Sequence, residues 1–348
     1  MLRDGEKEVF LVKGSDLQSL ISSWSKTSIM VIGDMIADSY LEGRIARISR
    51  EAPVLVLEHA GETIVPGGAA NVVNNCAALQ GQAYAVGLIG DDFSGRELVR
   101  ILAAKGVHTA GLIIDNNRPT ITKTRVMAGG QATVRQQVVR IDRESKEPVT
   151  AAVAAQELAY VQQYLPNVQA VILSDYGSGC ITSAIRDHVI QWCRQQDIPC
   201  IVDSRYDILA FQGATIIKQN EAETAAALGY EKLEQEDIEQ AGFALLKRLD
   251  ARALLLTRGA QGMNLFESNR VMTHIPVANV SEVYDVSGAG DTVVAVMALA
   301  LSAGVSLGEA ARLANIAAGV VVRKFGTATT TIYELSEALE QINDGESI

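Results

Sequence analysis

The segment Asp285-Val-Ser-Gly-Ala-Gly-Asp291 runs directly into an apolar stretch and puts a carboxylate beside a site suited to anions. Gly288 and Gly290 let the backbone turn sharply and come close to a ligand. A helix beginning there offers unpaired N–H groups at the positive end of its dipole. A carboxylate in such a place is a poor resting partner for phosphate. It makes chemical sense if Asp291 takes the proton from a hydroxyl as that hydroxyl attacks phosphorus. The N–H groups of Gly288, Ala289 and Gly290 would then stabilise charge on the transferring group. The same residues also read as an Asp opening a helix after a Gly-rich turn, and spacing alone does not separate the two.

Other stretches carry weaker signals. Pro66-Gly67-Gly68-Ala69-Ala70-Asn71 opens a helix with residues small enough for a ligand ring to reach the backbone. Asn71 can both donate to and accept from sugar hydroxyls. A tight helix–strand contact explains the glycines equally well. Asp34 ends the first apolar strand, where open α/β sheets place ligands, or else it caps the next segment. Asn220 and Glu223 share a helical face and could hold a hydrated Mg²⁺ near a triphosphate; the same spacing makes a capping box, and both can hold together. The turn from Thr257 through Gly259 to Gly262 either lines a nucleotide or closes a hairpin. There is no GxxxxGK[ST] loop, no GxGxxG after the first strand and no protein-kinase signature.

These residues need strand ends and helix starts to hold them, and the chain supplies both. Ser28–Asp34, Val168–Asp175, the IPCIVDS and ATIIKQN segments and Ala251–Gly259 read as buried strands, as does AYAVGLIG. Helices are expected over Gly67–Gly81, Arg96–Lys105, Ala184–Gln196, Glu221–Leu228, Asp291–Ala303 and Leu307–Val322. Alternation of this kind predicts an α/β fold with a mainly parallel sheet covered on both faces, and the all-round apolar helix after Gly290 should be central. Residues 1–27 read as peripheral, with one amphipathic helix through Leu17, Leu20 and Ile21, and the acidic tail from Glu334 reads as surface. Leu41–Thr63 and Pro119–Asp142 break the rhythm with Val, Ile, Thr and Arg in alternation and read as a small sheet forming a lid. From Arg118 to Arg143 six cationic residues face only Asp142.

Across 348 residues, 30 Lys+Arg against 41 Asp+Glu give a net charge of −11, which argues against nucleic acid or a membrane surface as a partner. The content of 48% hydrophobic and 20% charged residues is that of a compact globular chain, and no apolar run is long enough to span a bilayer. The N-terminus has no secretory pattern, and the four cysteines form no CxxC pair; buried free thiols in the cytoplasm are expected. The four histidines show no ligand spacing, so no zinc site is expected.

Taken in order, Gly67-Gly68 with Asn71, Asn220–Glu223 and Asp285-x-x-Gly-Ala-Gly-Asp291 resemble the ribokinase-like (PfkB) carbohydrate kinases over about Ser28 to Leu339. Arg47–Val54, Pro66–Val72, Arg118–Arg125, Leu173–Tyr176, Thr257–Met263, Val283–Thr292 and Ala317–Thr327 are similar to the heptose-7-phosphate kinase branch. The nucleotidyltransferase half that accompanies that kinase in bifunctional relatives, with its HxGH motif, is not expected here. The resemblance implies one three-layer α/β/α kinase domain over 1–348 with an inserted lid, and phosphorylation of a sugar hydroxyl from ATP with Mg²⁺. It implies Asp291 as base and Gly288–Gly290 as anion hole. Asp34, Gly67, Gly68 and Asn71 would hold the sugar, while Asn220 and Glu223 organise Mg²⁺ and phosphates. Thr257, Gly259, Gly262 and Asn315 would line the nucleotide, and Asp285, Ser287 and Thr327 would lie near a monovalent cation such as K⁺. Two positions depart from the branch: Ser178 and Arg205 stand where lysines are usual. Arg205, or Arg140, Arg125 and Lys123 on the lid, would supply charge for a sugar phosphate, unless the lid cations form a solvated strand face. Another acceptor (fructose, ribose, adenosine), or a non-catalytic sensor on the same fold, stays open, and a dehydrogenase is a poor third. Exposed lid edges point to a homodimer through lid strands.

Overall fold

The computed structural model describes residues 20–130, 133–278 and 285–345. Strands follow in the order β1 (Ser28–Gly33), β2 (Met35–Ile48), β3 (Leu55–Gly68), β4 (Gln82–Ile89), β5 (His108–Ile114), β6 (Ile121–Gly130) and β7 (Thr133–Arg143). They continue as β8 (Ala170–Asp175), β9 (Cys200–Ser204), β10 (Ile216–Asn220), β11 (Ala253–Thr257), β12 (Met263–Glu267) and β13 (Met272–Ile275). A nine-stranded sheet has the order β13-β12-β11-β10-β9-β8-β1-β4-β5, parallel from β11 to β5, with the β11–β12 and β12–β13 pairs antiparallel. A four-stranded sheet, β3-β2-β6-β7, stands apart from it.

β1 is buried along its whole length, as a parallel strand covered on both faces must be. Its side chains alternate between two cores. Ile29 and Val31 pack with the helices Ala69–Ala78, Ala289–Ser302 and Leu307–Val321. Met30 and Ile32 pack with Ala151–Tyr164, Ser183–Gln196 and Ile238–Leu249. This is the expected ribokinase-like three-layer arrangement. The Ala289–Ser302 helix is buried from Asp291 to Ala300 and is central, as its all-round apolar face predicts.

Several expectations need correction. The lid sheet is longer than 41–63 and 119–142: β2 begins at Met35 and β3 runs to Gly68. Its inner ends carry Met35, Ile36 and Ala37, which belong to the core composition and leave no visible boundary. Gly67 and Gly68 therefore end a strand, and the helix begins at Ala69. The helix expected from Arg96 starts at Phe93, because the Asp92 side chain caps it by accepting from the Gly95 amide. The C-terminal tail is not all surface: in the Ile332–Gly345 helix, Leu335 and Leu339 are buried in the core shared with β1. Of the N-terminal helix, Leu17 lies outside the described residues; Ile21 is buried and Trp24 fully so. The helices Ala151–Tyr164 and Ile238–Leu249 and the strands β5, β12 and β13 had no counterpart in the sequence reading.

All four cysteines are free and buried. Among the described residues no helix is long and apolar enough to cross a membrane, and no group of three or more His, Cys, Asp or Glu is placed to hold a metal ion.

Candidate active site

Parallel strands end on one side of the sheet. Neighbours β8 and β1 lead to helices on opposite faces, so a crevice opens between their C-terminal ends. Asp34 follows β1, Asp175 ends β8, Asp203 lies on β9 and Lys218 on β10, all around this crevice.

Asp291 sits in the first turn of the Ala289–Ser302 helix and is 4% exposed. Asn71 Nδ2 donates to its Oδ2 at 2.8 Å, and the Tyr176 hydroxyl donates to its Oδ1 at 3.1 Å. Burial, and secondarily the Asp203 charge, push the Asp291 carboxyl up to about 7, while Asn71, Lys218 and Tyr176 pull it down. A buried carboxylate poised near neutrality suits a general base. Gly288 has φ +79°, and a Cβ there would meet Asn71 Nδ2 at 2.7 Å. The close approach that forms the Asn71–Asp291 bond thus requires glycine.

Lys218 is buried in an ion pair with Asp203 at 2.8 Å, and a Cβ on Gly290 would meet its Nζ at 2.8 Å. A paired ammonium thus stands directly beside the helix start where negative charge would collect.

Asp34 is 1% exposed and accepts at Oδ2 from the amides of Tyr176 (2.7 Å) and Ser178 (3.2 Å). Its Oδ1 is buried without a partner, and burial pushes the carboxyl up to about 6. Gly67 has a side-chain reason to be glycine: a Cβ would lie 2.4 Å from Asp38 Oδ2, and Asp38 is paired with Arg125 at 2.6 Å. Gly68, at φ +53° and hard against Ile36 and the Asp34 carbonyl, serves the strand-to-helix turn.

Parallel and antiparallel register put Asp38, Lys123 and Asp142, and next to them Tyr40, Arg125 and Arg140, on one face of the lid. Lys123 Nζ lies 5.2 Å from the Tyr176 ring centre, so this face looks onto the crevice. Burial lowers the Lys123 ammonium. Arg140 is half-exposed and paired with Asp142 at 2.8 Å. Arg205 stacks over Tyr206 at 5.8 Å, and its charge is felt at Lys123, Tyr176 and Glu223.

The remaining candidates are placed with their ordinary structural bonds made. Asn220 and Glu223 form a full capping box: Asn220 Oδ1 accepts from the Glu223 amide at 2.8 Å and Glu223 Oε2 from the Asn220 amide at 2.9 Å. Burial raises the Glu223 carboxyl and Lys218 opposes this, so it borders the same charged group. Its second oxygen would be the one to hold a hydrated Mg²⁺. The Thr257 hydroxyl donates to the Gln219 carbonyl at 3.3 Å. Gly259 and Gly262 bound the turn of a β11–β12 hairpin, and Gly262 at φ +79° faces the Ile275 carbonyl. Asn315 Nδ2 donates to the Pro276 carbonyl at 2.6 Å, which uses one of its two N–H groups. Asp285 accepts from the amides of Ser287 (2.8 Å) and Gly326 (3.0 Å), which hold it ionised against its partial burial. Thr327 Oγ1 is buried without a hydrogen-bond partner.

The sequence reading passed over Tyr176, Lys218, Asp203 and Asp38 as site residues. Lys218 left a usable signal, the one charged residue in the strand segment ATIIKQN.

Residues 26–332 match the description "pfkB family carbohydrate kinase". The chain belongs to this family. It is accordingly an ATP-dependent sugar kinase. It is 40% identical over 312 residues to the "Bifunctional protein HldE" of Nitratiruptor sp., covering 90% of this chain and 65% of that protein. It is 38% identical over 325 residues to the protein of the same name from Geobacter sulfurreducens, covering 93% and 65%. The chain thus spans about two thirds of these relatives. Similar solved structures are Arabidopsis thaliana ribokinase complexed with ribose and ATP (TM-score 0.67, 22% identity, 91% of this chain and 98% of that one) and Escherichia coli phosphofructokinase-2 with substrates and products (0.73, 20%, 91% and 99%). At that identity they show the fold.

Proposed function

We propose that the chain transfers the γ-phosphoryl group of ATP to the anomeric hydroxyl of heptose 7-phosphate or a closely related sugar phosphate. The observation that carries the reading is the buried Asp291 carboxylate, held by Asn71 and Tyr176 at a helix start with Lys218 beside it. Asp291 would take the hydroxyl proton as the oxygen attacks phosphorus. The N–H groups of Gly288–Gly290 and the Lys218 ammonium would meet the charge on the transferring group. Asp34 Oδ1 and Asn71 would orient the sugar. Mg²⁺ near Glu223 would shield the phosphates, K⁺ would sit beside Asp285, Ser287 and Thr327, and the turn Thr257–Gly262 with Asn315 would line the nucleotide. Closure of the lid would keep water from the donor.

A phosphorylated acceptor is supported by cations converging on the crevice from both sides: Lys123 and Arg125 with Arg140 from the lid, Arg205 from the body. Arg205 would stand in for the usual lysine there, while Ser178 contributes only its amide, to Asp34. ADP release with ATP·Mg²⁺ tests this across D-glycero-D-manno-heptose 7-phosphate, fructose 6-phosphate, fructose, ribose and adenosine. Each charge-assisted phosphate contact is worth about 1.5–3 kcal/mol. A phosphorylated sugar should therefore lead its unphosphorylated counterpart by about two orders of magnitude in kcat/KM. Equal turnover of unphosphorylated sugars would remove the phosphate pocket. Tight binding with no turnover of any sugar would favour the sensor reading.

Ile45, Ile48, Val54, Leu55, Val139 and Ile141 leave much of their surface exposed on the lid. They support a homodimer through lid strands. A monomer by sedimentation at micromolar concentration would refute the dimer.

A further inference from the structure

Behind the acceptor site lies a buried acid that the chemistry above does not use. Glu157, on the Ala151–Tyr164 helix, is fully buried. The Cys180 thiol lies 3.1 Å from Glu157 Oε1 and 3.2 Å from the Gly33 carbonyl, and Glu157 Oε2 has no partner. A thiol carries one hydrogen and cannot serve two acceptors. If it is given to the Gly33 carbonyl, the other contact is a hydrogen bond only when Glu157 is itself protonated and donates to the sulfur. If it is given to an ionised Glu157, a buried carboxylate rests on one weak S–H donor and the Gly33 carbonyl loses its contact. The neutral acid keeps both contacts of the sulfur and leaves no buried charge on Glu157.

Cys180 closes the loop that follows β8. The amides of Tyr176 and Ser178 donate to Asp34 Oδ2 from this loop, and the nearby Cys180 amide helps to lower the Asp34 carboxyl. The charged groups bearing on Glu157 are Asp34, which disfavours a second charge nearby, and Arg118, which is already paired with Asp115 at 3.1 Å. On Asp34 the Asp175 charge also bears.

We propose that Glu157 is a positioning residue for the acceptor site: its proton, shared with Cys180, holds the loop of residues 175–180 closed on Asp34, so that Asp34 presents an ionised, unpartnered oxygen to the acceptor hydroxyl. The inference rests on the reading that Asp34 binds the acceptor. Burial supports it by pushing Asp34 up to about 6 and Glu157 up to about 7, with the Asp34 charge adding to the latter. Backbone amides favour the charged form of Asp34 and Glu157 has none, so over a range of pH Asp34 is charged while Glu157 is neutral. Above that range Glu157 ionises, the single thiol hydrogen turns to the carboxylate, the Gly33 carbonyl loses its contact and the cradle loosens.

The test is the KM for D-glycero-D-manno-heptose 7-phosphate against pH in the wild type and in Glu157→Gln, which keeps a neutral donor. The wild-type KM should rise about tenfold between pH 7 and 9 while kcat gains only the roughly twofold that full ionisation of Asp291 supplies, and the variant KM should stay flat. The same alkaline rise in both proteins, or an effect of the variant on kcat alone, would overturn the proposal. A second readout needs neither acceptor nor a Glu157 variant. In the wild type, one S–H stretching band should shift between pH 6 and 9, and Cys180→Ser should remove that band. A Cys180 band indifferent to pH overturns the proposal. If the heptose phosphate is not turned over, the acceptor reading fails and the S–H band alone decides this one.

Discussion

Asn71, on the helix that follows β3, donates to Asp291 Oδ2 at 2.8 Å across a sequence separation of 220 residues. The bond joins the two Gly-flanked motifs of the chain into one site and fixes the carboxylate where the helix begins. Asp291→Asn preserves this geometry, because the new amide oxygen accepts from Asn71 while its nitrogen faces the Tyr176 oxygen. It removes only the ability to take a proton. Turnover should fall by about 10²–10⁴ with ATP binding retained, measured by single-turnover kinetics and nucleotide titration. Stability should change in the opposite direction. The native carboxyl titrates near 7 against an ordinary 3.8, so the folded state keeps a proton that the unfolded chain has released. The stability this proton confers is complete below the ordinary value and is lost as pH climbs through about 7. The variant should therefore melt higher than the wild type at pH 8. Unchanged turnover would remove Asp291 from the base role.

The Tyr176 hydroxyl is the second donor to Asp291, and it lowers the carboxyl from where burial alone would put it. Since the base must be ionised, kcat/KM for the sugar should fall about tenfold per pH unit below about 7. Below about 6 the fall should steepen as Asp34 also takes up its proton. Tyr176→Phe deletes a hydrogen bond to a charged group, worth about 1.5–3 kcal/mol. The upper limb should move to higher pH by about one to two units. A pH–rate profile of the two proteins checks this, and an unmoved limb would mean that another group sets it.

How much of this was legible in the chain depends on how local each feature is. The Asp285–Asp291 motif, the strand β1 and the apolar helix after Gly290 are contiguous, so turn chemistry and period show them directly. The pairings at the site are not local. Tyr176 reaches Asp291 over 115 positions, and Arg125 reaches Asp38 over 87. Tyr176 lies in a segment that the resemblance covers, but neither it nor Asp38 carries a local sign of its distant partner. The Ile238–Leu249 helix was readable in principle, since Ile238, Ala241, Leu245, Leu246 and Leu249 repeat at helical spacing. The lid boundary was not readable, because β2 and β3 carry core residues at one end and solvent-facing residues at the other.

Lys218 and Asp203 form a buried pair at 2.8 Å, with side chains 9% and 14% exposed. Asp203 also raises the Asp291 carboxyl, and Lys218 lowers it. Lys218→Met leaves Asp203 uncompensated beside Asp291. Breaking a buried pair in this way costs about 3–5 kcal/mol, and the base should become harder to ionise. The expected result is a lowered melting temperature together with an acid limb displaced to higher pH. Lys218→Met combined with Asp203→Leu removes both charges and should recover most of the lost stability, because apolar replacement of a buried pair is often neutral. It should not recover turnover if the Lys218 ammonium meets the charge on the transferring phosphoryl group. Melting curves and kcat for the wild type, both single variants and the double variant separate the two roles. Recovery of turnover along with stability would reduce Lys218 to a partner for Asp203.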